Sequence, residues 1–300
     1  MSFFLNQKSV NQILTTLDRF EITLKREDLL HPTVSGNKLR KLKYNLQQAK
    51  AEGQNTLLTF GGPFSNHLAA TATAAKLMGF RSIGVVRGDE SRILNPTLQY
   101  CKAQAMNLYP VSRADYLLKN QDQFIDQIHH QFGDFYLIPE GGTNTMAIKG
   151  CKEILTEEDA YFDVIACSVG TGGTLAGLIE SALSHQKVVG FSALRNQNLA
   201  TEIKKWTLKQ NWSLIHDYTF GGYAKITPDL IYFMNTFNKN FKTLLDPVYT
   251  AKLLFGIFEL IKNKQWSAGK KILIIHTGGI QGIEGMNQKL TKKKWPKIIV

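Results

Sequence analysis

Five short segments of this 300-residue chain concentrate the side chains that could do chemistry: SGNKLRK at 35–41, GGPFSNH at 61–67, PEGGTN at 139–144, SVGTGGT at 168–174 and HTGG at 276–279. The fourth is the most legible. Gly170, Thr171, Gly172, Gly173 and Thr174 lie where an apolar strand gives way to a helix. Unpaired N–H groups at a helix N-terminus, with glycines that let the backbone close in, form a cradle for an anion. A Walker A loop would end in Gly-Lys-Ser/Thr, and no lysine is present. A dinucleotide fingerprint would need glycine where Leu175 stands, and an acid about 20 residues on. His185–Asn196 holds neither Asp nor Glu. The pattern favours a phosphate monoester over a nucleotide, with a tight structural turn as the alternative.

Lys38 heads an amphipathic segment. A cation is disfavoured at a helix start. That field, desolvation and the neighbouring Arg40 and Lys41 would lower its amine pKa and suit it to Schiff-base chemistry. Taken alone, Lys38 is one of 36 basic residues and reads as a solvated helix lysine. Ser65-Asn66-His67 would place hydroxyl, amide and backbone donors at one strand-to-helix turn, suited to a carboxylate or phenolate oxygen. Ser65 alone is a plain N-cap. It is no hydrolase nucleophile, since GPFSN is not the GxSxG elbow. His129-His130 lacks an HExxH pattern and reads as a solvated pair, so no metal site is expected.

These segments need a scaffold of strands and helices. The expected strands are 20–25, 56–60, 82–87, 135–138, 163–167 and 271–276. The spacing of Leu39, Leu42, Leu46 and Ala49 predicts a helix over 38–51. Further helices are expected at 66–78, from Asn95-Pro96, near 143–155, at 175–184 and after His276. Apolar strands each followed by a helix imply parallel sheets covered on both faces, and the number of units favours two doubly wound α/β domains. Each chemical segment then falls beyond the carboxyl end of a strand, where such folds bind ligands.

Composition closes several other routes. A 20% charged fraction and 17 Phe argue against disorder. No apolar run approaches a bilayer's thickness of about 30 Å. The opening MSFFLNQKSV shows no leader pattern, and three scattered cysteines support neither a disulfide framework nor a zinc site. The chain reads as cytoplasmic. Its net charge of +12 raises nucleic acid as a partner, but no reader motif or aromatic-interleaved basic segment supports one. The basic segment 289–297 reads as a frayed end.

The motifs in order, GNKxRKLxY, GGxxSNH, EGGTN, the glycine loop, DPVYT and HTGG, resemble one family. It is the pyridoxal 5'-phosphate enzymes of the 1-aminocyclopropane-1-carboxylate deaminase/D-cysteine desulfhydrase group, fold type II (tryptophan-synthase-β-like). The resemblance runs from about Lys25 to Gly279. It implies a large cofactor-binding domain of residues 1–40 plus 151–300, a small domain of 41–150, and a homodimer. It assigns Lys38 to the cofactor aldehyde, Asn66 to the phenolate oxygen, Gly170–Thr174 to the phosphate, and Ser65 to the substrate carboxylate and proton transfer. It places His67 beside the substrate, where deaminase-like members carry Gln, and Tyr223 and Tyr249 as active-site tyrosines.

Thr250 stands where deaminases of the family carry a Glu opposite the pyridine nitrogen, and Thr277 where they carry an apolar residue. A carboxylate would strengthen the electron sink for ring opening, whereas hydroxyls suffice for β-elimination. The resemblance thus implies a small amino acid as substrate and desulfhydrase-like chemistry, D-cysteine to pyruvate, ammonia and sulfide. The alternatives are 1-aminocyclopropane-1-carboxylate deamination, a racemase or another amino-acid lyase, and a non-catalytic binder of cofactor or amino acid. Pro63 and Phe64 depart from the family's usual pair before SNH.

Overall fold

Runs such as Thr56–Phe60, apolar without alternation, must be buried on both faces, and they are: β-strands Thr56–Gly61 and Val164–Val169 are buried along their whole length. The structure, a computed structural model, describes residues 8–17, 19–88 and 94–300. Residues 1–7, read above for a leader, lie outside the described residues.

The strands are β1 (Asn11–Leu17), β2 (Phe20–Lys25), β3 (Thr56–Gly61), β4 (Arg81–Arg87), β5 (Met106–Val111), β6 (Tyr136–Ile138), β7 (Val164–Val169), β8 (Lys187–Ser192), β9 (Trp212–Ile215) and β10 (Lys271–Ile275). They form two sheets, one ordered β1-β2-β10-β7-β8-β9 and the other β5-β4-β3-β6. The second sheet is wholly parallel. The first is parallel except for β1, which pairs antiparallel with β2 at the edge. The sequence pattern did not show β1. Its register slips between Ile13 and Thr15, and Ile13 points into solvent, so no alternation survives.

Helices cover both faces of each sheet. Helices Pro228–Phe241, Thr250–Lys262 and Gly282–Lys292 pack on one face of the six-stranded sheet, and Gly173–Ser181 with Leu199–Lys204 on the other. On the four-stranded sheet, the leucines of helix Asn37–Ala51 join the alanines of helix Asn66–Met78 against Leu57 and Ile138. Helix Asp122–Phe132 fills the opposite face. Two expected helices shift at their ends. The one near 143–155 is helical only over Thr145–Cys151, with a 3₁₀ turn after it. The one placed at 175–184 begins two residues earlier, inside the glycine loop.

The segment 289–297 is not frayed. Trp295 and Ile298 pack onto the core, and Asn287 holds the Ile298 backbone through both of its amide atoms. Two apolar residues among the lysines decide this, and the charge count hid them. All three cysteines are free and buried, and His129 stacks on Phe135. Among the described residues no helix is long and apolar enough to cross a membrane.

Candidate active site

The carboxyl ends of β7 and β10, the start of helix Asn37–Ala51 and the turn before helix Asn66–Met78 enclose one cavity. Lys38, Asn66, Gly170, Thr171, Gly172, Thr174, Tyr249 and Thr277, all expected from the sequence, line it. The helix bearing Lys38 reaches it through a close backbone contact. Gly36 sits at φ +62°, and any Cβ there would collide with the Thr277 carbonyl. Only glycine tolerates both the conformation and the approach.

The Lys38 amine is brought down from 10.5 to about 7 by burial first and then by the charge of Lys41, with Asp246 opposing. Arg40 takes no part, because Glu27 engages its guanidinium in two hydrogen bonds of 2.8 and 2.9 Å. The expectation of two cationic neighbours acting on Lys38 therefore reduces to one. Lys41 itself is buried and donates to the Gly141 carbonyl at 2.8 Å and to Thr143 Oγ1 at 3.0 Å. We expect pH-dependent acylation of Lys38 in cofactor-free protein to show a midpoint near 7. Lys41→Met should move that midpoint upward, since it removes a like charge. A midpoint near the ordinary lysine value in the parent protein would contradict this account.

The glycine loop presents the helix start that was expected. Gly172, in the left-handed region at φ +87°, is the N-cap of helix Gly173–Ser181, and no side chain caps the first turn. A Cβ on Gly173 would stand 2.7 Å from Thr143 Oγ1, and that hydroxyl lies 2.6 Å from Thr171 Oγ1. Thr174 accepts a 2.7 Å hydrogen bond from Asn37, tying the loop to the Lys38 helix. The loop has no cation of its own, yet Lys41 borders it from the neighbouring helix.

Ser168 and Thr277 line the cavity with their Oγ atoms 3.4 Å apart, whereas Thr250, expected there from the sequence, is fully buried behind Thr277 with its Oγ1 3.5 Å from that of Thr277. Asp246 is the nearby carboxylate, and it is occupied. Its oxygens accept from the backbone N–H groups of Val248, Tyr249 and Thr250, which positions Tyr249 and Thr250. The DPVYT motif contained this aspartate, but nothing in its spacing marked it as the group that shapes the turn. Tyr223 and Tyr249 meet edge to face with ring centroids 6.3 Å apart. Burial raises the Tyr249 phenol well above its ordinary value, so it is held as a proton donor.

Ser65 and His67 do not line this cavity. Ser65 caps helix Asn66–Met78, its Oγ accepting from Leu68 N at 3.3 Å. His67 is buried, and its Nε2 lies 2.8 Å from Thr59 Oγ1. That hydroxyl donates to the Ile138 carbonyl, so His67 Nε2 is the donor and Nδ1 carries no proton. Burial and the charges of Lys38 and Lys41 keep the ring neutral. Asn66 accepts a 2.5 Å hydrogen bond from Gln281, a residue the sequence reading passed over because it follows the HTGG turn.

The residues present suit a flat, phosphorylated aldehyde. A glycine-rich helix start without a side-chain cap borders the cavity, as do the hydroxyls of Ser168 and Thr277. A lysine with a low amine pKa stands beside them, and the buried Ser35 hydroxyl on the same wall has no partner among the described residues.

The family model described as "Pyridoxal-phosphate dependent enzyme" matches residues 10–278. A Pyrococcus horikoshii protein, provisionally named as a 1-aminocyclopropane-1-carboxylate deaminase, is 31% identical over 90% of this chain and 88% of its own length. A mitochondrial bifunctional D-cysteine desulfhydrase/1-aminocyclopropane-1-carboxylate deaminase of Arabidopsis thaliana is 29% identical over 88% of this chain and 73% of its own. A crystal structure of an "ACC deaminase homologue" superposes with a TM-score of 0.84 at 29% identity, covering 96% of this chain and 94% of that one.

Proposed function

The chain belongs to the pyridoxal-phosphate dependent enzymes, and from that premise we propose that it eliminates a β-leaving group from a small amino acid in the manner of a D-cysteine desulfhydrase. Bound pyridoxal phosphate would supply the electron sink for the carbanion formed at the substrate α-carbon. Gly170, Thr171, Gly172, Gly173 and Thr174 would hold its phosphate, Asn66 its phenolate oxygen, Ser168, Thr250 and Thr277 its ring nitrogen, and Lys38 its aldehyde carbon. Our reading keeps the division into a large domain of 1–40 plus 151–300 and a small one of 41–150, with the cavity between them, in a homodimer.

Lys38, with a substantial neutral fraction near pH 7, can act as nucleophile and then as the base that takes the α-proton. Tyr249, protonated and buried, can hand a proton to the departing group, with Tyr223 against it. The start of helix Asn66–Met78 would receive the substrate carboxylate. Ser65 would turn its hydroxyl from Leu68 N towards it, and His67 would support that end as a neutral ring. Overall, D-cysteine and water give pyruvate, ammonia and hydrogen sulfide.

One observation carries the choice of elimination over ring opening. The cavity is lined by the hydroxyls of Ser168 and Thr277, with Thr250 behind Thr277, while the nearby Asp246 is committed to backbone donors. A panel of D- and L-amino acids, scored for 2-oxo acid and sulfide, tests it. We expect sulfide and pyruvate from D-cysteine. Release of 2-oxobutyrate from 1-aminocyclopropane-1-carboxylate, with no sulfide from D-cysteine, would reverse the ordering; the name of the Pyrococcus horikoshii relative favours that second reading, and that of the Arabidopsis relative carries both.

A further inference from the structure

Helix Thr250–Lys262 begins beside Tyr249 and carries a buried lysine in its first turn. Lys252 Nζ donates to the Thr219 and Gly222 carbonyls, each at 2.8 Å. The same two carbonyls accept the bonds that shape their turn, from Gly222 N at 3.0 Å and from Lys225 N at 3.2 Å. Asp246 acts on this amine through charge alone, against the burial that brings it from 10.5 to about 8. A buried cation held by carbonyls costs folding energy, and an apolar side chain would fill the space without that cost. What the ammonium secures is the shape of one turn.

That turn needs securing. Phe220, Gly221, Gly222 and Ala224 all lie in the left-handed region, at φ +53°, +93°, +120° and +53°. Such a conformation is unfavourable for Phe and Ala and persists only where the surroundings over-determine it. Lys252 supplies two bonds towards this. The same helix adds ring contacts, since Phe220 meets Phe255 edge to face at 5.1 Å and the Tyr218 ring leaves no room for a Cβ on Gly256. Tyr223 stands inside the turn, 39% exposed, so its ring is placed by its backbone more than by enclosing walls. Both Tyr223 and Tyr249 line a small recess that shares Asn66, Tyr249 and Gly279 with the Lys38 cavity. After burial itself, Tyr223 contributes most to keeping the Tyr249 phenol protonated.

We propose that Lys252 is a positioning residue for the reaction, which keeps Tyr223 against Tyr249 by holding the Thr219 and Gly222 carbonyls. The proposal rests on the elimination reading, in which Tyr249 hands a proton to the departing group. Lys252→Met keeps the bulk of the stem and removes the ammonium. In cofactor-loaded protein it should lower kcat for D-cysteine about tenfold with KM nearly unchanged. For β-chloro-D-alanine the loss should stay below about threefold, because chloride leaves without a proton. In a Tyr223→Ala background the same change should cost less than about twofold on either substrate. Gly222→Ala disturbs the turn from the loop side, where a Cβ meets nothing within 4 Å but φ is +120°. It should give the same pattern even if Lys252→Met folds poorly.

Equal losses on both substrates, or a loss that persists in Tyr223→Ala, would make Lys252 a structural residue and overturn the proposal, with the elimination reading intact. Amide exchange in cofactor-free protein gives a second readout. The Gly222 and Lys225 N–H groups should exchange at least about tenfold faster in Lys252→Met than in the parent. Unchanged exchange would also overturn the proposal. Faster exchange in a protein that turns over neither substrate would keep Lys252 as the holder of the Tyr223 turn and end the elimination reading.

Discussion

Lys38→Ala should lose turnover by about a thousandfold or more, the scale seen when a residue that is nucleophile and base together is removed. The reason lies in how the structure prepares this amine. Its pKa of about 7 leaves a substantial neutral fraction at physiological pH, where an ordinary lysine would be almost wholly protonated. Burial makes the largest contribution to that shift, and Lys41 adds to it from the next turn of the same helix. Borohydride reduction of the loaded parent protein should fix the cofactor to Lys38. The variant should still bind pyridoxal phosphate through the glycine loop and the hydroxyls, but more weakly and without its shifted visible absorption. A variant that keeps that absorption, with label on another lysine, would remove Lys38 from the site.

Glu27→Ala should cost about 3–5 kcal/mol of stability, the range found when one partner of a buried ion pair is deleted. Glu27 is fully buried and accepts both hydrogen bonds from Arg40, while its backbone carbonyl takes the Gly36 N–H at 3.1 Å. Arg40 also approaches Glu153, at 4.0 Å, which is too far to replace that pairing. The same residues therefore hold the left-handed turn that brings Lys38 to the cavity. Urea midpoints should show the loss. Because deleting one ion is worse than replacing both, Glu27→Leu with Arg40→Met should cost less than either change alone. If Glu27→Ala shifts stability by less than about 1 kcal/mol, the pair does not support the helix start in the way described.

The two expectations differ in what could have been foreseen. Lys38 stood out because its motif names it and because a helix start is an unusual place for a cation. Glu27 did not, because the pairing with Arg40 joins residues 13 apart across a turn whose shape no periodicity reveals. Asp246 and Gln281 do not stand out, for the same reason. Each acts through a partner far along the chain or through backbone groups, and its own type and neighbours are ordinary. Ser65 and His67 show the converse. Their motif drew them into the site, yet the helix cap takes the serine hydroxyl and Thr59 takes the histidine N–H.

From its own pattern, the chain determines most strands, the helices that follow them, and the positions beyond strand ends where a phosphate and an amine should meet. Those signals are local: apolar runs, glycines at turns, a capping residue, a lysine at a helix start. The resemblance then adds the cofactor that joins them. Tertiary structure alone decides which charges the site feels. It neutralises Arg40 with Glu27, leaves Lys41 to act on Lys38, commits Asp246 to backbone donors and turns the Lys252 ammonium onto the carbonyls of Thr219 and Gly222. Charge interactions depend on distance and burial, and both are fixed only when segments far apart in sequence pack together.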